Sequence, residues 1–114
     1  MKAWNMDSVQ QSLSWLGEDI HKWGKDIGFW DGEQNEGEKI ALMHSELSEA
    51  LEAIRNGNPP DDHCPQFTNV EIEFADCVIR IMDTCVAKGY RLSSAIAAKM
   101  TYNETRPHKH SKLF

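Results

Sequence analysis

Apolar residues recur along four stretches of this chain at helical spacing, and segments rich in Gly, Pro and Asn separate them. The most apolar stretch, VEIEFADCVIRIMDTCVAK, occupies residues 70–88. At about 100° per residue, Ile72, Phe74, Ala75, Val78, Ile79, Ile81, Met82, Cys85 and Val86 cover more than half of its circumference. That width predicts a helix buried against several neighbours. Thr68 followed by Glu71 is a capping box that opens it, and Gly89 ends it. The preceding helix opens at Asn35 with Glu38 three residues on, carries a core stripe of Ile40, Met43, Leu47, Leu51 and Ile54, and ends near Arg55. Asn56-Gly57-Asn58-Pro59-Pro60 cannot continue it, because the proline pair lacks donors and clashes with the preceding turn. The first helix runs from about Ser8 to Lys25 on a seam of Val9, Leu13, Leu16, Ile20, Trp23 and Ile27, with Gly24 and Gly28 weakening its end. The last runs from about Leu92 to Thr105, with Leu92, Ala95, Ile96 and Met100 inward. It has Arg91 where a capping Ser or Asp is expected, and Pro107 stops it. The tail HKHSKLF has no period. The prediction is a single all-α domain over residues 1–114, a four-helix bundle.

The polar positions of the third helix are the informative ones. Glu73, Asp76, Arg80 and Asp83 fall three and four apart and stack on one narrow wedge. Carboxylates so hemmed in must be paired, protonated or bound to metal. On the second helix Glu46 and Glu49 lie off both the apolar stripe and the solvated side of Ser45, Ser48, Glu52 and Arg55, on a flank shared with Leu42 and Ala53. A loop of about twelve residues lets the two helices run antiparallel, so four hard oxygen donors converge. Such a set suits Mg²⁺ or Mn²⁺, whereas zinc calls for thiolates or a His pair. One ExxE alone reads as a solvated face; the second acidic pair on so apolar a helix reverses that. Arg80 is expected to balance the acids, and Asp83 to pair with a base such as Lys99. Lys99, Asn103 and Arg106 line one strip of the last helix. Phe29 and Trp30, adjacent in a Gly-rich turn, either plug the bundle end or form a stacking platform for a flat ligand.

Composition narrows the partners. The net charge is −6 and no more than two bases are adjacent, which excludes a footprint for a nucleic-acid polymer. The start of the chain has no apolar leader core and nowhere do about 18 apolar residues run together, so a soluble cytoplasmic protein without membrane contact is expected. The three cysteines lack CxxC spacing and read as reduced thiols, with Cys77 and Cys85 as small core residues. His44 reads as structural or solvated, and the pairs His63 with Cys64 and His108 with His110 offer too few donors for a metal. At 114 residues the chain is short for a deep two-sided site, so a partner subunit is plausible.

Glu46-xx-Glu49 and Glu73-xx-Asp76, within HSELSEALEAIRNG and EIEFADCVIRIMD, together with GFWD before and KMTYNETRP after, resemble the ExxE…ExxD signature of the MazG-like all-α nucleoside triphosphate pyrophosphohydrolases. The likeness spans nearly the whole chain. It implies that Glu46, Glu49, Glu73 and Asp76 are catalytic acids binding Mg²⁺, and that the enzyme splits a nucleoside triphosphate into monophosphate and pyrophosphate. It also implies a homodimer or homotetramer with sites completed by neighbouring helices or subunits. By the same resemblance Lys99, Asn103 and Arg106 meet phosphate, and Trp30, Phe29, His21 and Trp23 surround the base, although Trp23 also suits the apolar seam. The competing expectation is a non-enzymatic helical adaptor whose acids hold a structural cation or a basic partner. A di-iron bundle is disfavoured, because only Glu18-xx-His21 offers a Glu-xx-His motif, on the wrong helix.

Overall fold

The computed structural model describes residues 6–114. Residues 1–5, on which part of the expectation of no leader rests, lie outside the described residues. Four helices follow one another: α1 Met6–Asp26, α2 Glu36–Arg55, α3 Asn69–Lys88 and α4 Leu92–Glu104. The tail adds one 3₁₀ turn, His108–Ser111, where no period was expected. No strand occurs among the described residues, only an isolated bridge between Pro60 and Thr68. No helix among them is long and apolar enough to cross a membrane.

Local chemistry accounts for the boundaries. Asn35 Oδ1 accepts the Glu38 backbone N–H at 3.0 Å, and Glu71 Oε1 accepts both the backbone N–H and the hydroxyl of Thr68, at 3.0 and 2.8 Å. Gly89 ends α3 in the left-handed region, φ 72°. Arg91 makes no side-chain cap. The α2–α3 loop is tightly held: buried Asp61 accepts the backbone N–H groups of His63 and Cys64 through Oδ2, each at 2.9 Å, and Asn58 Oδ1 accepts that of Val70 at 3.0 Å. This loop sets α3 antiparallel to α2, and Tyr90 closes the far end by donating to Glu36 Oε2 at 2.7 Å.

Packing departs from the apolar stripes. α3 packs on α2 and α1, and α4 packs on α1. The close approach of α1 to α3 uses small residues: a Cβ on Gly17 would lie 3.2 Å from Val86 Cγ2, and one on Gly24 would lie 3.2 Å from Asp83 Oδ2. Gly24, in the last turn of α1 two residues before its end at Asp26, is thus also a point of close contact with α3. The inward face of α2 is Glu46, Ala50 and Ala53, while Ile40, Leu47, Leu51 and Ile54 of its expected core stripe are exposed. α3 is likewise buried only at Cys77, Met82 and Thr84, leaving Phe74, Val78 and Ile79 open. α1 exposes Val9, Leu16, Trp23 and Ile27 of its seam. The expectation of an α3 buried against several neighbours is therefore met only in part within one chain: among the described residues α2 and α1 are its main neighbours, and part of its apolar face stays open. The accessible surface, 8514 Å², exceeds the roughly 6,300 Å² of a compact monomer of this mass, and the radius of gyration is 16.6 Å where about 13 Å is usual.

Candidate metal centre

Three of the four signature acids meet. Ligand oxygens of Glu46, Glu49 and Glu73 all lie within 4.8 Å of one another across the α2–α3 seam. The i,i+3 spacing stacks Glu46 and Glu49 on one face of α2, and the capped start of α3 puts Glu73 opposite. Asp76 lies one turn further along and stands outside that group, but feels its charge. Glu46 is 7% exposed, whereas Glu49 is exposed, so the two share a side of α2 without sharing its burial. Glu46 and Asp76 line a cleft of about 460 Å³, and Glu49 and Glu73 line a separate, smaller recess of about 230 Å³.

Too few donors serve this cluster. Arg80 Nε donates to Glu46 Oε1 at 2.9 Å, the balancing role expected of it. Glu46 Oε2 and Glu73 Oε2 are buried with no hydrogen-bond partner among the described residues. The titration pattern follows. Burial, then the adjoining Glu49 and Glu46, push the Glu73 carboxyl up to about 8. Burial also raises Glu46, but the Arg80 hydrogen bond and its other neighbours outweigh that and leave it below the usual range. Asp76 is raised by burial and by the Glu46 charge, with Arg80 opposing. Three carboxylates that converge in this way, with Glu46 Oε2 and Glu73 Oε2 lacking donors, form a group that could hold a metal ion.

The other end of the cleft is aromatic. Trp23 and Phe29 line it, both exposed, with rings edge to face at 5.5 Å. Trp30 and His21 are held more tightly. Trp30 Nε1 donates to Asp83 Oδ1 and Oδ2 at 2.9 and 3.0 Å, His21 Nδ1 lies 2.7 Å from Asp83 Oδ1, and the two rings meet at 5.3 Å. Asp83 thus meets a basic side chain as expected, but the partner is His21 and not Lys99. Asp83 is taken by α1 and the turn after it, because Gly24 admits its carboxylate. Lys99 instead lies over the Tyr102 ring at 4.7 Å, with Arg106 over the same ring at 5.6 Å. Lys99, Asn103 and Arg106 do not line the acidic cleft. Lys39 does, with Nζ 4.2 Å from the Trp30 centroid, and it was not singled out from the sequence. Its signal was available: it stands two turns before Glu46 on the same face. Buried Asp61 left no comparable trace, since its role arises from loop hydrogen bonds. His44 is exposed, and Cys64, Cys77 and Cys85 are free.

The fold and the cluster define a class in physical terms: a four-helix all-α chain with a carboxylate centre at the seam of two antiparallel helices. In comparisons with protein-family models, curated proteins and solved structures, nothing matches this chain.

Proposed function

We propose that this chain is a Mg²⁺-dependent nucleoside triphosphate pyrophosphohydrolase of the MazG-like kind, converting an NTP or dNTP and water to the monophosphate and pyrophosphate, with Mn²⁺ as a possible substitute. The observation that carries the reading is the meeting of Glu46, Glu49 and Glu73 within 4.8 Å, with two buried carboxylate oxygens lacking donors. Bound metal would polarise phosphoryl oxygens and acidify a water, the main requirements of phosphoryl transfer. Glu46, Glu49 and Glu73 would hold it, and Asp76 would join them from the next turn. Trp23 and Phe29 offer ring surface to a nucleobase at the other end of the cleft, while Asp83 fixes Trp30 and His21 behind them. Stacking of this kind contributes about 1–3 kcal/mol per base. The role is nucleotide-pool control in the cytoplasm.

The active form in this reading is a homodimer or homotetramer. The open stripes of α2 and α3 and the surface excess favour a second copy, and Lys99, Asn103 and Arg106, away from their own cleft, would serve the phosphates of a neighbouring one. The same stripes are what favour the second reading, a helical adaptor. Incubation with a panel of NTPs and dNTPs, with Mg²⁺ or with chelator, separates the two. Metal-dependent pyrophosphate release, lost in Glu49→Ala, is expected; an intact, metal-loaded protein that releases none from any nucleotide leaves the adaptor.

A further inference from the structure

Arg80 is used at only one of its three nitrogens. Nε is committed to Glu46, yet Nη1 and Nη2 meet no acceptor among the described residues, the side chain is 40% exposed, and it lines the cleft between the acids and the aromatic pair. α3 places it one turn beyond Asp76, on the wedge that carries Glu73 and Asp83. A guanidinium is planar and donates from a rigid fork, so one edge can hold a carboxylate while the other remains available to an anion in the same plane. A lysine ammonium also has several donors, but they radiate from one atom on a flexible stem and do not fix the two partners in one plane at a set separation. Neutralising a buried acid accounts for Nε alone, and leaves the two Nη groups of a 40% exposed side chain on the wall of the cleft without an acceptor among the described residues.

We infer that Arg80 is a bridging residue: Nε holds Glu46 in its ligand pose, and the Nη edge binds a phosphate oxygen of the nucleotide and of the departing pyrophosphate. The inference rests on the pyrophosphohydrolase reading and adds a phosphate contact from the same chain as the metal acids. It makes the placing of the metal ligand and of the phosphate depend on one rigid group. The phosphate then arrives in a fixed relation to the metal.

The test compares wild type, Arg80→Lys and Arg80→Gln in two titrations, Mn²⁺ alone and inorganic pyrophosphate at saturating Mg²⁺, with circular dichroism confirming helical content. Arg80→Lys retains a cation for Glu46, so its Mn²⁺ affinity should stay within about twofold of wild type. Its pyrophosphate affinity should fall roughly 10- to 100-fold, the worth of a charge-assisted bond, and kcat/KM should fall with it. Arg80→Gln should lose pyrophosphate at least as severely. Pyrophosphate bound by Arg80→Lys as tightly as by wild type overturns the inference, and so does an equal loss of Mn²⁺ and pyrophosphate, the mark of a purely structural role. Failure of the underlying reading is separate: wild type would release no pyrophosphate from any nucleotide. The Arg80 contact would still stand if pyrophosphate binding showed the lysine effect, and would fall with that reading if wild type bound none.

Discussion

At the scale of single residues, the protein gathers carboxyl groups where burial opposes their charge, and the cost appears in the titration of Glu73. Its carboxyl, raised from 4.5 to about 8 by burial and by Glu49 and Glu46, holds a proton at pH 7 that a metal must displace. Divalent-metal affinity should therefore rise from pH 6 to about pH 8 and level off above, with proton release seen by calorimetry in buffers of different ionisation enthalpy. The metal-free fold should change in the opposite sense. Between 4.5 and about 8 the folded chain binds a proton there that the unfolded chain does not, so its stability falls as pH rises through that window. A pH-independent metal affinity would contradict the arrangement of these acids. Asp83 offers a second test at this scale. Asp83→Ala strands the Trp30 and His21 donors and should cost about 1–3 kcal/mol in thermal or denaturant unfolding. Asp83→Asn should cost less, since an amide can accept from Trp30 and donate to a neutral His21.

At the scale of elements, helices were more legible than faces. The capping groups at Asn35, Thr68 and Gly89 are local chemistry, and each bounds its helix where the sequence puts it. α1 runs to Asp26, and its glycines serve contact with α3, a property of the partner helix that α1 alone does not encode. The acid pairs were legible because i,i+3 spacing fixes a shared face whatever lies opposite. The faces of α2 were not. Apolar periodicity marks what leaves water, without saying whether a neighbouring helix or another molecule removes it. In α2 the large aliphatic stripe faces out, and the small Glu46–Ala50–Ala53 face lets α3 come close. In the proposed assembly Leu51, 51% exposed, and Val78, 52% exposed, are covered by a second copy. Leu51→Lys and Val78→Lys should yield monomers by light scattering that remain helical but melt at lower temperature. An unchanged mass in both would place the contact elsewhere.

At the scale of the whole molecule, the buried apolar side chains among the described residues are Ala50, Ala53, Cys77, Met82 and Ala97, mostly small ones, and the surface is about one third larger than that of a compact monomer of this mass. In the proposed assembly a second copy would cover part of that surface and would also bring the basic strip of α4 to an acidic cleft it does not line by itself. Distance between α4 and the seam depends on tertiary packing, so helical spacing could align Lys99, Asn103 and Arg106 with one another but not with the acids. Every catalytic role proposed for this chain depends on the carboxylates at the α2–α3 seam gripping a divalent ion. A Mn²⁺ titration followed by electron paramagnetic resonance, on wild type and on Glu49→Gln and Glu73→Gln at pH 8, tests that directly. Saturable binding by wild type, weakened at least about tenfold in each variant while helical content is kept, is the predicted result; wild type binding no more tightly than the two variants contradicts it.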